Sequence, residues 1–154
     1  MASSVTAELL KQLSVASEAL NNVSDVFNEQ VKTIEEALAS YNLGVTAWAP
    51  ACSLDEADSA DDGSHITFTR EISVGYEKWQ GKWCLKVHSW IPDFEISEEW
   101  VLRDAPRERR MQAIDGIPKL LEKLIEAAQK LTAEVSKKTT EARMLAASIK
   151  PRKG

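Results

Sequence analysis

Cysteine and histidine are scarce in this chain: two of each among 154 residues. A closed zinc site takes four such ligands together, and Cys84 and His88, the two nearest in sequence, would stand ~13 Å apart along a strand. Two thiols make no disulfide framework, so both read as free thiols of a reducing cytosol and the expected location is cytoplasmic. No apolar run approaches the ~18 residues of a membrane span, and no membrane association is expected. The N-terminal MASSVTAELLKQL has neither a basic start nor a continuous apolar stretch, which excludes a secretory signal. No internal repeat is present. No motif for a cofactor, a metal or catalysis stands out, and the expectation is a protein that is not an enzyme.

Charge is present but uneven. The net charge is −5, which disfavours general nucleic-acid binding. Residues 1–64 hold 11 acidic and 2 basic side chains, whereas residues 65–154 hold 13 acidic and 17 basic. Such asymmetry favours association between the halves, within one chain or across two.

Glycine and proline are absent from residues 5–41, which read as one helix. Ser3, Ser4 or Thr6 can cap it. Leu13, Leu20, Phe27, Ile34 and Tyr41 recur every seven residues, with Leu9, Ala16, Val23 and Ala37 between them. Asn42 and Gly44 supply the stop. A second helical run covers 106–149, with Asp104 as its expected N-cap and a break near 116–118, where Gly116 and Pro118 fall. Its rows are Ile114, Leu121, Ala128, Val135, Ala142 and Ile149, and Ile117, Leu124, Leu131 and Leu145, broken by Lys138.

Between the helices, residues 45–102 read as an antiparallel sheet. A short strand is expected over Val45–Ala51, then a mobile acidic loop over 54–64 holding Asp55, Glu56, Asp58, Asp61 and Asp62. A calcium loop starting at Asp58 fails, because Ala60 stands at the third position, which needs an oxygen ligand, and Thr69 at the twelfth, which needs a glutamate. Ile66 to Ile91 forms a long hairpin turning at Gln80-Gly81. Pairing Trp79 with Lys82 puts Ile66, Phe68, Ile72, Val74, Tyr76, Trp83, Leu85 and Val87 on a core face. Glu71, Ser73, Gly75, Glu77, Trp79, Cys84, Lys86, His88 and Trp90 then share the other face. Gly75 is a candidate bulge. Phe94–Leu102 is a further strand after a turn at Pro92-Asp93. The fold expected is α+β in two layers: a long N-terminal helix, a meander of three to four strands and a long kinked C-terminal helix, in a single domain over 1–154.

The candidate binding residues fall in two groups. Trp79, Trp90, Cys84 and His88 lie opposite the core, where a solvated sheet is ordinarily polar, so that face is a candidate partner or ligand surface; Trp48 and Trp83 read as core. Ser73 would sit across from His88 near Glu71 and Cys84. No strained nucleophile turn accompanies them, so a solvated ladder is the simpler reading. Arg107, Arg109 and Arg110 cluster at a helix start and could meet a partner's carboxylates or an anion, or simply pair with Glu98, Glu99 and Glu108.

Both helices would run ~50 Å or more, against ~33 Å for a ten-residue strand. They are expected to lie side by side and to overhang the sheet. The function expected is therefore a protein-interaction or scaffold protein, a homodimer whose helices complete a four-helix assembly with an unknown protein partner beyond it. A monomer with its helices tucked against the sheet is the alternative. A small-ligand or peptide-binding module on the Trp79/Trp90 face is a second functional class. Weak nucleic-acid binding through Lys150, Arg152 and Lys153 is a third. The element order alone is similar to that of small bacterial nucleoid-associated proteins.

Overall fold

The computed structural model describes residues 3–152. Lys153 lies outside them. The chain runs α1 (Ser4–Ser40), β1 (Ala47–Ser59), β2 (His65–Trp79), β3 (Lys82–Ile91), β4 (Ile96–Val101), α2 (Arg107–Ile114) and α3 (Ile117–Ser148). The four strands form one antiparallel meander in the order β1-β2-β3-β4. The architecture is α+β, as the patterning implied.

Local chemistry sets most of the boundaries. Ser3 caps α1, its hydroxyl accepting from the Thr6 N–H at 3.1 Å. Asn42 and Gly44 close the helix at φ 50° and 62°. Gln80 and Gly81 turn the central hairpin at φ 49° and 81°, which pairs Trp79 with Lys82 and carries that register up to Glu71 and Trp90. Two short helical turns, Pro92–Phe94 and Leu102–Asp104, flank β4. Asp104 therefore does not cap α2; it ends one of those turns, and Pro106 precedes the first residue of the helix.

The acidic stretch after Ala51 departs from expectation. It is not a mobile loop over 54–64 but the second half of β1, paired with β2 as far as Ser59 and His65. Two of its carboxylates have partners 14 residues away. Glu56 meets Arg70 at 2.6 Å and Asp55 accepts from the Thr69 hydroxyl at 3.2 Å. Opposite charges and hydrogen bonds across the ladder offset the repulsion that the run alone would suffer. Only Ala60–Ser64 turns, with Gly63 at φ 84°. The ladder irregularity also moves: it lies in β1 between Pro50 and Cys52, not at Gly75.

The core sits between the sheet and the helices. Ile72, Val74, Tyr76, Leu85 and Val87 are at most 2% exposed, packed with Val31 and Leu38 of α1, Ala113 of α2, and Leu120 and Leu124 of α3. Burying one such aliphatic side chain is worth about 1.5–3 kcal/mol. Trp83 stacks on Tyr76 at 5.5 Å at the margin of this core. Ile66, expected in it, is 39% exposed, because the helices cover only the Trp79 end of β2. The break between α2 and α3 falls at Asp115-Gly116, with Pro118 in the first turn of α3. A Cβ on Gly116 would come within 2.9 Å of Ala51 and Val74, so glycine there lets the helical layer close on the sheet.

The helices share the core through Val31 and Leu38 of α1 and Leu120 and Leu124 of α3, but they do not pair along their lengths. α1 touches β3 and the Leu102–Asp104 turn, and α3 lies over β1 and β2. The residues that dock α3 are Ile117, Leu120 and Leu124, whereas Leu121 and Ile125 face outward at 40% and 57% exposure. The sheet-facing stripe and the seven-residue rows thus coincide only in part. Beyond the sheet both helices continue alone, as two arms. Residues 4–23 of α1 and 129–148 of α3 are exposed throughout.

Candidate functional site

The hairpin register brings Trp79, Cys84, His88 and Trp90 to one face of the sheet, opposite the helices. A residue that sequence reasoning placed in the core joins them. Trp48 of β1 pairs with Gly75, and its indole lies flat over that glycine, where a Cβ would meet the ring at 2.3 Å. Its Nε1–H donates to Glu77 Oε2 at 3.3 Å, and its ring stands edge-on to His88 at 6.2 Å.

Lys86 is the centre of the cluster. Its side chain is 5% exposed, and its Nζ contacts Glu77 of β2 at 2.8 Å and Glu99 of β4 at 2.9 Å. Trp79 lies across it, 4.4 Å from Nζ to the ring centroid. Burial opposes the charge, but hydrogen bonds and charge from the two carboxylates outweigh it and raise the ammonium above the usual lysine range. Trp48, Glu77, His88 and Glu99 line a shallow recess beside it. Sequence reasoning missed Lys86 and Glu99 as a pair, because β4's register depends on the Pro92–Phe94 turn. The period-two pattern did put Lys86 and Glu77 on this face.

The remaining groups on this face are engaged. His88 Nε2 shares a 2.6 Å hydrogen bond with Ser97, not with Ser73, although Ser73 sits directly across the ladder. Burial pushes the Cys84 thiol up, and the nearby Glu35 carboxylate adds to the effect. A nucleophilic thiol needs the opposite shift. Trp90 is half-buried beside Glu71 and Ser97.

Arg107, Arg109 and Arg110 are not part of this cluster; α2 packs on the other face. Arg109 donates to Gln112 at 2.8 Å and Arg110 to the Ala105 carbonyl at 2.9 Å. Among the described residues none of the three pairs with Glu98, Glu99 or Glu108. Nor does any group of three or more Asp, Glu, His and Cys among the described residues stand close enough to hold a metal.

One buried acid fixes α1 to the sheet. Glu35 Oε1 accepts the Leu85 N–H at 3.2 Å, beyond the end of β4, and Oε2 lies 3.4 Å from Arg103 Nε without a hydrogen bond. Burial raises this carboxyl above 4.5, against the lowering pull of Arg103 and the Leu85 N–H. A raised folded-state value means that its contribution to stability is complete below the unfolded value and fades as pH rises through the folded one. Glu35→Gln keeps an acceptor for Leu85 and removes the titration. The wild-type urea midpoint is expected to fall relative to Glu35→Gln as pH climbs above about 4.5. A constant difference across that range would show that Glu35 is not the group responsible.

The arms form the other candidate surface. Along α1, Leu9, Leu13, Leu20 and Val23 are 58%, 63%, 51% and 67% exposed. Along α3, Val135 and Leu145 are 55% and 64% exposed, and Ile149, just past its end, is 70% exposed. At the root of the α3 arm an open apolar groove runs between Leu38, Tyr41 and Leu43 on one side and Leu121, Ile125 and Ala128 on the other. No helix is long and apolar enough to cross a membrane among the described residues. No protein-family model, curated protein or solved structure matches the chain.

Proposed function

We propose that this chain is a non-enzymatic protein-interaction module that associates with a second copy through its two helical arms. The observation that carries the reading is the exposure of apolar residues that fall on seven-residue rows along both arms, Leu13 and Leu20 in α1 and Leu131, Val135 and Leu145 in α3. Most helical stability in proteins comes from packing an apolar face, and a large exposed apolar surface on a monomer is rare. A stripe at seven-residue spacing is suited to helix packing at a shallow left-handed angle. The two free thiols, Cys52 and Cys84, support a cytoplasmic setting. The sheet face supports the reading by contrast: both carboxylates nearest the recess are already committed to Lys86, so that cluster ties three strands together.

Leu13→Asp with Leu20→Asp tests it. Each buried leucine is worth about 1.5–3 kcal/mol, so the pair weakens association at least roughly a hundredfold. Sedimentation of the variant is expected to give 17.1 kDa, the mass of one chain. Trp fluorescence is expected to stay native, since all five tryptophans lie outside the helices. A variant that sediments like wild type would contradict the reading.

A further inference from the structure

The two arms differ in charge and match in length. The α1 arm, residues 4–26, carries three acidic side chains and one basic; the stretch 129–152 carries six basic and two acidic. At about 1.5 Å per residue the α1 arm is ~35 Å long and the helical part of the α3 arm ~30 Å. Within one chain they do not pack along each other, since residues 4–23 and 129–148 are exposed throughout. We infer that, in the assembly proposed above and resting on it, the α1 arm of each copy lies along the α3 arm of the other.

Three physical points select this pairing over like with like. The net charges attract, whereas two basic arms side by side repel. Lys138 interrupts the apolar row of α3 close to the middle of its arm, and a full-length overlap of two α3 arms would bring two copies of Lys138 together in either direction. Its own Glu141, at 2.8 Å and 48% exposed, neutralises it only at the surface. The positions beside the α1 seam, Leu10, Gln12, Ser17, Ala19, Ser24 and Val26, are all uncharged and leave that lysine unopposed by a cation. The apolar groove at the root of α3 continues its arm's stripe and gives the partner's α1 further surface to bury.

Ala16 and Ala142 are exposed and lie in the central part of their arms; in a full-length overlap they are offset by about 4 Å if the helices run parallel and about 7 Å if antiparallel. One chain carrying Ala16→Cys and a second, mass-tagged chain carrying Ala142→Cys are mixed and oxidised. Wild type, whose Cys84 is buried and Cys52 half-buried, serves as the blank. The expected main product is the mixed disulfide. Mainly Ala16→Cys homodimers, from protein that sediments at twice the chain mass, would overturn the pairing and leave the assembly standing. A monomer would overturn both. Salt gives an independent sign: unlike arms weaken about fivefold or more between ~0.05 and ~0.5 M salt, whereas like-charged arms would tighten.

Discussion

Gly75→Ala is expected to cost about 3 kcal/mol of folding stability, the upper part of the range for overpacking. Gly75 does not adopt a positive φ, so its backbone tolerates alanine. The requirement is space. An added Cβ would lie 2.3, 2.4 and 2.6 Å from three atoms of the Trp48 indole, closer than any van der Waals contact allows. The ring would have to lift off β2. It would then lose its hydrogen bond to Glu77 and uncover the side chains beside it. A urea titration reads the loss. The same change made in Trp48→Ala is expected to cost little, because the obstructing ring is gone. An equal cost in both backgrounds would place the effect in the backbone and refute the steric account.

Glu77→Gln is expected to be nearly as damaging, at about 3 kcal/mol near neutral pH, the lower end for breaking a buried ion pair. The variant leaves the Lys86 ammonium, 5% exposed, with Glu99 as its only carboxylate partner, and that side chain is 42% exposed. Water screens that remaining partner and shares it. Lys86→Met is expected to cost far less, about 1 kcal/mol, since it removes the charge and retains the volume under Trp79. The pH dependence follows from the raised value of Lys86. Its stabilising contribution is complete below the usual 10.5 and fades as pH rises through the higher folded value. Equal losses in Glu77→Gln and Lys86→Met would show that the carboxylate, not the stranded ammonium, controls the effect.

The centre of the sheet was legible because one turn determines it. Gln80-Gly81 fixes Trp79 against Lys82, and alternation then assigns both faces of β2 and β3. The acidic half of β1 was not legible, since its sequence resembles a solvated loop until Thr69 and Arg70 are seen across from it. Trp48 was misplaced for a related reason: β1 needed a register of its own, and the irregularity after Pro50 hides it. Lys86 stood on the outer face in the alternation, but its burial depends on Glu99, which reaches it only through the register of β4. The seven-residue rows of the helices were plain, yet only Ile117 and Leu124 of those rows dock α3, joined by Leu120 from outside them. Leu120 is fully buried and its neighbour Leu121 is 40% exposed, a difference set by where the sheet lies. Within the outer-face cluster, Trp79, Cys84, His88 and Trp90 came together as the pattern implied, and the arginines of α2 did not join them.

The arms give the protein two apolar stripes that its own sheet leaves uncovered. Their covering by a second copy is the central claim, and a mass measured by light scattering on the full chain tests it most directly. Dilution separates a true assembly from loose clustering, because association follows mass action. Twice 17.1 kDa is expected at high concentration, falling toward one chain on dilution. A constant 17.1 kDa at every concentration would contradict it.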